Sequence, residues 1–280
     1  MGEAQAAPPA RVIRPPRGLG LPPLRDLHEY RGLLYFLAWR ELKVRYKQTI
    51  AGVLWAVVRP VATIVVFSYF FGNLLGVPSE GEIPYPVYVF AGLLPWNFFA
   101  QGLSESSNSL VGSAPMIKKV YFPRVLIPLS VYLTAVVDFL IALLVYELLA
   151  AGFGYFPTLR IAATAPLIVL TGLAMSGLGL VLSALAAQYR DVPFAVPFLV
   201  QLGFFATPVI YPGAIMPPDL ELIYALNPMV GIIDGFRWAL IPGLEFPAAT
   251  LAVSSSVAAG LFIVGLVVFH RLERTFADLL

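Results

Sequence analysis

The sequence predicts an all-α integral membrane protein with six transmembrane helices, an amphipathic helix before the first span and a re-entrant hairpin before the last. Hydrophobic residues make up 59% of the 280 positions and charged residues only 12%, whereas soluble chains are roughly a quarter charged. Six apolar runs approach the length of about 20 residues that a helix needs to cross a bilayer. Because lipid offers no hydrogen bonds, each run is expected to be helical. The predicted spans are residues 53–75, 86–104, 126–150, 163–185, 194–211 and 250–269.

Basic residues predict the orientation, because loops rich in Lys and Arg remain cytoplasmic. With the N-terminus inside, fifteen of the eighteen basic residues fall in inner segments and both termini are cytoplasmic. Residues 1–27 contain three Pro-Pro pairs and several arginines but no apolar run, which predicts a disordered tail. The tail lacks the apolar core of a secretory signal peptide. Residues 28–280 are then expected to form a single transmembrane domain.

Residues 28–50 predict an amphipathic helix at the membrane surface. Aromatic and aliphatic residues fall on one stripe, and basic residues fall on a neighbouring face: Tyr35, Trp39, Leu42 and Tyr46, then Arg40, Lys43 and Lys47. A simple surface anchor and a docking surface for a cytoplasmic partner both fit this pattern, and periodicity does not separate them.

The inner segment 113–124 predicts a short helix between two prolines, with Ser113 as cap and Pro115 in the first turn. Its three basic residues would be explained by topology alone. Five apolar residues nevertheless crowd into a segment expected in water, which indicates contact with another protein. These residues are Met116, Ile117, Val120, Tyr121 and Phe122.

The outer segment 212–249 is too apolar and too long for an ordinary loop. Two short helices are predicted within residues 219–240, interrupted at Asn227-Pro228 because proline disfavours helical geometry in the preceding residue. A re-entrant hairpin is the favoured interpretation, and an amphipathic pair at the interface is the alternative.

Small residues four apart predict helix-packing faces in two spans, at Gly172 and Ser176, at Gly179, Ser183 and Ala187, and at Ala252, Ser256 and Gly260.

Several function classes are disfavoured by what the sequence lacks. It has no cysteine and two distant histidines, His28 and His270, so no His-rich metal cluster is predicted, although the number of acids leaves a carboxylate site open. Its acids are scattered, so the acid–base cluster of a membrane-embedded transferase is not predicted either. The net charge of +2 gives no reason to expect nucleic acid. A G-x-x-x-x-G-K-[ST] phosphate loop is absent, so any ATP must be bound by another chain. A proton-coupled carrier would usually show more midplane carboxylates or inverted repeats.

The order of short motifs resembles the membrane (permease) subunit of ATP-binding-cassette exporters for lipid-linked polysaccharides such as O-antigen, capsule or teichoic acid. The matching stretches are Arg40-Glu-Leu-Lys-Val-Arg-Tyr-Lys-Gln-Thr49, Gly52-Val-Leu-Trp55, Pro60, Leu94-Pro-Trp-Asn-Phe98, Lys118-Lys-Val-Tyr-Phe-Pro-Arg124, Tyr189-Arg-Asp191, Thr207-Pro-Val-Ile-Tyr211 and Asn227-Pro-Met229. They extend from about residue 28 through most of the chain, and the proline-rich tail lies outside the pattern.

The resemblance implies a homodimer in the bacterial inner membrane, bound to two cytoplasmic ATPase subunits that hold ATP and Mg, with no cofactor in this chain itself. It implies that the ATPase contacts Trp39, Arg40, Lys43, Lys47, Met116, Ile117, Lys118, Lys119, Val120, Tyr121, Phe122, Arg190 and Asp191. It also implies an outer gate that includes Asp219, Tyr224, Asn227, Pro228, Met229, Asp234 and Arg237. The segment 113–124 would be the coupling helix.

A polysaccharide path would need weak, repeated binding of sugar rings, for which aromatic faces are suited. The candidates in the first, second and fifth spans are Phe67, Tyr69, Phe70, Tyr88, Trp96, Phe98, Phe99, Phe204, Phe205 and Tyr211, together with Arg59. Any one of these aromatic residues could equally serve helix packing or the membrane interface. A proton-coupled lipid or glycolipid flippase and an exporter of a drug or small lipid are the alternative functions.

Three charged residues lie within the predicted spans, and intramembrane charge is costly enough to mark candidate functional sites. Arg59 lies near the inner end, where it could snorkel or receive a lipid pyrophosphate, and Glu147 lies near the outer end. Asp138 is the deepest. It is expected either to accept hydrogen bonds from a neighbouring helix or to take part in proton coupling.

Overall fold

The computed structural model describes residues 29–47, 52–119, 122–273 and 276, and the regular structure of these residues is helical, with no strand among them. The all-α prediction is therefore confirmed. The tail 1–27 and the residues Val120 and Tyr121 lie outside the described residues. The α-helices are α1 Arg31–Lys47, α2 Gly52–Phe67, α3 Tyr85–Gly112, α4 Ala114–Ile117, α5 Leu126–Gly152, α6 Thr164–Gln188, α7 Val192–Phe205, α8 Pro218–Tyr224, α9 Pro228–Leu240 and α10 Ala248–Leu272. A π-helix, Ser68–Leu74, continues α2, and 3₁₀ turns cover Leu159–Ala163 and Gly213–Ile215.

Helix α3 is the centre of the bundle and packs most extensively on α5 and α6. The predicted end of this helix at residue 104 is wrong, because the helix continues to Gly112. Two serines near this end return their hydroxyls to the helix itself: Ser104 donates to the carbonyl of Ala100 at 2.8 Å, and Ser107 to that of Ser104 at 2.7 Å. Serine hydroxyls satisfied in this way are compatible with a helix interior.

Helices α6 and α10 approach each other with their backbones in near contact. A Cβ built on Gly177 would lie 2.6 Å from the backbone of Leu261, and one on Gly265 would lie 2.3 Å from the carbonyl oxygen of Gly177. The packing role predicted for Gly172 is confirmed, because its Cβ would lie 2.2 Å from the Tyr132 ring.

The packing face predicted for the last span is wrong. Ala252, Ser256 and Gly260 are all exposed, and a Cβ on Gly260 would meet no atom within 4 Å. The buried face of α10 is instead formed by Ser254, Ala258 and Gly265. Both rows have small residues at helical spacing, and only the partner helix decides which row is buried.

Among the described residues, four helical segments are long and apolar enough to cross a membrane: Val57–Leu74, Leu126–Gly152, Leu159–Gln188 and Ala248–Leu272. The fifth predicted span, 194–211, is shorter than expected. Helix α7 is apolar but has 14 residues and ends at Phe205. Thr207 precedes a proline, which disfavours helical geometry there, and the chain turns instead.

Two apolar clusters define the ends of the bundle. The smaller cluster gathers residues of α1, of the segment after α4 and of α10, and includes Leu37, Phe122 and Phe269. We call this the basic end, because α1 and Lys118–Lys119 lie there. The larger cluster extends to α9 at the opposite end, which we call the hairpin end, and includes Tyr88 and Phe236.

Candidate functional site

The exposed face of α1 is an aromatic and basic surface. Tyr35 and Trp39, one turn apart, have ring centroids 6.4 Å apart and nearly parallel planes, and the Lys43 ammonium lies 5.4 Å from the Trp39 ring centroid. Trp39 is 46% exposed, and Lys43 and Lys47 are exposed as well. The opposite side of the helix buries Leu37 and Ala38. The helix thus presents cations and ring faces while its apolar side is fixed to the bundle.

The segment 113–124, predicted to be the coupling helix and called the coupling segment below, lies beside this surface in its described residues, 113–119 and 122–124. The guanidinium of Arg40 is 3.8 Å from the sulfur of Met116, which joins α1 to α4. Lys118 and Lys119 are exposed, and Met116 and Ile117 are half-buried against the apolar cluster of the basic end. Phe122 is 5% exposed and packs inside that cluster. Its side chain therefore anchors the segment from within and does not form part of the outward surface in this conformation.

The far end of the coupling segment is held by the end of α10, which sequence reasoning missed. The Arg124 guanidinium donates to the carbonyl oxygen of Glu273 at 2.8 Å, and the Arg124 backbone N–H donates to the Glu273 carboxylate at 3.2 Å. The Arg124 guanidinium also lies 6.0 Å from the ring centroid of Phe276. Burial raises the pKa of Glu273, against the lowering effect of Arg124. The 149 residues between the partners leave no local sequence signal for this clamp.

The turn between α6 and α7 carries the remaining predicted docking residues. Arg190 and Asp191 are exposed there, and the Asp191 carbonyl accepts the first backbone hydrogen bonds of α7. Neither residue contacts the coupling segment through a hydrogen bond among the described residues. The structure thus brings α1 and the coupling segment together and leaves this turn as a separate exposed element.

A polar network joins α1 to the bundle near the basic end. The Arg45 guanidinium donates to Glu105 of α3 at 2.7 Å and also to Asp138 of α5. The Tyr46 hydroxyl donates to Asp138, and the Gln101 amide donates to Glu105 at 2.9 Å and to Asp138 at 3.0 Å. The expectation that Asp138 accepts hydrogen bonds from a neighbouring helix is therefore confirmed.

The surroundings of Arg45 and Tyr46 set the protonation of these two side chains. Burial alone lowers the pKa of Arg45, but the attraction of Glu105 and Asp138 outweighs this effect and raises the pKa above its ordinary value. Burial, together with the hydrogen bond to Asp138, raises the pKa of the Tyr46 hydroxyl. Tyr46 is thus a neutral donor, and Arg45 is the cation that balances the two carboxylates.

A groove of about 520 Å³ opens between α1, α3 and α5 beside this network. Arg40 and Glu41 line one wall, and Glu105, Asn108 and Ser130 line the others. Arg59, the cation predicted within the first span, is exposed on α2. Among the residues that the structure describes, no group of three or more His, Cys, Asp or Glu side chains is arranged to hold a metal ion.

Aromatic residues from the three predicted path-lining spans meet in one cluster. Phe204 of α7 has its ring centroid 5.8 Å from that of Phe67 on α2 and 5.9 Å from that of Trp96 on α3. Trp96 in turn contacts Phe99 at 5.7 Å. Phe205 extends this cluster outward at 5.3 Å from Phe204. The structure therefore brings together, at a single interface, aromatic residues from each of these three spans.

The other predicted path residues differ in exposure and in the direction that they face. Tyr69, Phe70 and Phe205 are exposed. Phe98 is buried on another face of α3, where it packs against Tyr132 and Phe139 of α5.

The hairpin end is held by polar contacts that begin at Asn227. Its side-chain oxygen accepts the backbone N–H of Met229 at 3.1 Å and so caps α9, while its amide donates to Thr207 at 2.8 Å. Pro228 occupies the first turn, which suits a residue without a backbone N–H. The predicted break at Asn227-Pro228 is confirmed. Tyr224 of α8 is hydrogen-bonded to Tyr211 at 2.9 Å, and Asp219 is exposed.

Arg237 is buried at the centre of the hairpin end, with only 1% of the residue exposed. Its guanidinium lies 4.0 Å from the ring centroid of Tyr88, donates to the carbonyl of Val209 at 2.9 Å and pairs with Asp234 at 3.4 Å. One cation therefore joins α9, α3 and the turn after α7. A Cβ on Gly92 would lie 2.9 Å from this guanidinium, so the glycine provides the space that it occupies.

Known proteins with related sequences cover most of this chain. A family model described as ABC-2 type transporter matches residues 32–241. The O-antigen export system permease protein RfbA of Myxococcus xanthus is 33% identical over 218 residues, covering 76% of this chain and 82% of that protein. The RfbA permease of Klebsiella pneumoniae is 30% identical over 251 residues, covering 89% and 95%. The polysialic acid transport protein KpsM of Escherichia coli is 24% identical over 244 residues, covering 84% and 91%. With a family match over residues 32–241 and four helices able to cross a membrane, the chain belongs to the ABC-2 type transporter family of multi-pass membrane proteins.

Proposed function

We propose that this chain is the membrane-spanning permease subunit of an ABC transporter that exports lipid-linked polysaccharide across the bacterial inner membrane. The observation that carries the proposal is the 33% and 30% identity, over most of both chains, to proteins named O-antigen export permeases. The structure supports it with an exposed aromatic and basic surface at one end, an aromatic cluster between three helices, and a hairpin held by polar contacts at the other end. The chain itself is a transport component and not an enzyme.

The ATPase subunit binds at the basic end. Trp39, Lys43 and Lys47 of α1 and the exposed Lys118 and Lys119 of the coupling segment supply the cations and the ring face that fit an acidic partner groove. The turn at Arg190 and Asp191 makes a second, smaller contact. ATP and Mg are held by that partner, and this chain carries no cofactor of its own.

The chain crosses the membrane six times with both termini in the cytoplasm. Helices α3 and α7 are spans in addition to the four long apolar helices. Helix α3 lies inside the bundle, which explains its lower lipid exposure, and α7 is extended by the turn that follows it. Helix α1 lies in the cytoplasmic interface, and α8 and α9 form a re-entrant outer gate. This arrangement places the cationic docking surface where the positive-inside rule predicts it.

The polysaccharide passes between two copies of this chain. The aromatic cluster of Phe67, Trp96 and Phe204, with the exposed Tyr69 and Phe205 at its margin, offers ring faces without fixed charge, which suits weak and repeated contact with sugars. ATP binding in the partner displaces the docking elements, the two membrane subunits separate, and the lipid-linked glycan enters for stepwise passage outward.

The test is co-purification with the ATPase, followed by measurement of glycolipid-stimulated ATP hydrolysis. Replacing Lys118 and Lys119 by glutamate is expected to abolish the stimulation, because the charge reversal repels the partner. Arg160→Gln, an exposed cation at the hairpin end, is the matched control and should retain the stimulation. An ATPase stimulated by a drug or small lipid and not by glycolipid would assign the chain to that class of exporter instead.

A further inference from the structure

We propose that Arg45 is a positioning residue that carries motion from the ATPase docking helix α1 to the transport helices α3 and α5. The inference rests on the proposed function, since it assigns a role to the link between the docking surface and the path. Arg45 lies outside the docking surface, the aromatic cluster and the outer gate, so its role is distinct from theirs.

Helix α1 has two functional faces. At 100° per residue, Arg45 lies about 160° around the helix from Lys43 and about 120° from Trp39, so Arg45, though not its network neighbour Tyr46, faces away from the exposed docking surface. The structure agrees with this geometry, because Trp39 is 46% exposed whereas the Arg45 side chain is 24% exposed. A force applied to the outward face therefore reaches the bundle through the inward face.

On the inward face, Arg45 is the charged connection to both neighbouring helices. Its two terminal nitrogens contact carboxylates on different helices, Glu105 of α3 and Asp138 of α5. The planar guanidinium allows one side chain to hold two acids in fixed directions, which a lysine ammonium does not do. Gln101 bridges the same two acids from α3, so α3 and α5 are tied to each other at the point where α1 is tied to both.

These contacts lie close to the aromatic cluster along α3 as well as near the docking surface. Gln101 is two residues after Phe99, and Phe99 contacts Trp96 in the aromatic cluster. A displacement of α1 that preserves the Arg45 contacts must move this part of α3. If the contacts break, the displacement is absorbed between α1 and the bundle and does not reach the path.

The test compares ATP hydrolysis with glycan exported in the assembled complex in proteoliposomes. Arg45→Gln is expected to co-purify with the ATPase normally and to keep ATP hydrolysis within about twofold, while glycan exported per ATP falls by about tenfold, as expected when coupling through a connecting contact is lost. Arg45→Lys keeps the charge but not the fork and should recover part of the loss. Arg31→Gln, an exposed arginine on the same helix, should behave as the unmodified protein.

A second variant covers the case in which Arg45→Gln fails to assemble. The triple variant Arg45→Gln, Glu105→Gln and Asp138→Asn removes the unpaired charges and leaves hydrogen-bonding groups in place. Assembly should therefore return while export per ATP stays low. Unchanged export per ATP in either variant that assembles overturns the inference, as does a triple variant that folds in the membrane but no longer binds the ATPase. If the unmodified chain binds no ATPase at all, the proposed function has failed and not this step alone.

Discussion

Replacing Arg237 by methionine is expected to loosen the hairpin end and lower the stability of the protein. Methionine is of similar length and apolar, but it cannot donate to the carbonyl of Val209, pair with Asp234 or carry charge over the Tyr88 ring. The Arg237 side chain is 2% exposed and that of Asp234 is 24% exposed, so the acid left behind is partly but not fully reached by solvent.

The magnitude follows from these contacts. A buried acceptor left without its donor costs about 1–3 kcal/mol, and a desolvated cation–π contact contributes about 2 kcal/mol. Since the contacts share one group and are not additive, we expect a net loss of about 3 kcal/mol, the low end for a broken buried pair. For a chain of this size that corresponds to a melting temperature lower by roughly 5 °C.

The assay is thermal unfolding of the purified protein in detergent, followed by size-exclusion chromatography of the remaining folded fraction. Arg160→Met is the control, because Arg160 also lies over a ring, 5.4 Å from the centroid of Trp238, but is exposed. Its melting temperature should change by about 1 °C or less, as for other surface substitutions. Equal melting temperatures for the Arg237 and Arg160 variants would refute the conclusion that Arg237 stabilises the hairpin end.

Two further predictions concern packing and the path. Gly177→Ala is expected to destabilise the protein by about 1–3 kcal/mol, because the new Cβ would lie 2.6 Å from the Leu261 backbone. Gly260→Ala, with no atom within 4 Å of its new Cβ, should be neutral or stabilising in the same thermal assay, and equal losses at both positions would contradict the proposed helix crossing. Tyr69→Ala and Phe205→Ala are exposed substitutions that should reduce glycan export by about tenfold at matched protein levels, as for loss of a stacking contact of 1–3 kcal/mol. Phe198→Ala, exposed on α7 but outside the ring cluster, should export normally, and normal export by the first two variants would remove them from the path.

Local patterns predicted the helices well and their ends less well. The break before α9 was predictable because Asn227-Pro228 both interrupts a helix and caps the next one. The extension of α3 to Gly112 was not, because a run of serines indicates a loop unless the hydroxyls are known to return to the helix backbone.

Contacts between distant residues mark the limit of prediction from the sequence. Asp138 was predicted to need hydrogen-bond donors, because a carboxylate within the membrane is costly. The sequence did not indicate that the donors are Arg45 and Tyr46, since 93 and 92 residues separate them from Asp138. Likewise, the small residues of α10 predicted a close crossing, but the face chosen from their spacing was the wrong one. Such choices are decided by the partner helix.

The most direct test of the proposed function is transport by the purified chain, reconstituted in proteoliposomes with and without its ATPase. We predict that a lipid-linked polysaccharide reaches the opposite leaflet only when both subunits and ATP are present, and that a proton gradient has no effect. Transport by this chain without the ATPase, driven by a proton gradient, would contradict the proposal and identify the protein as a secondary carrier.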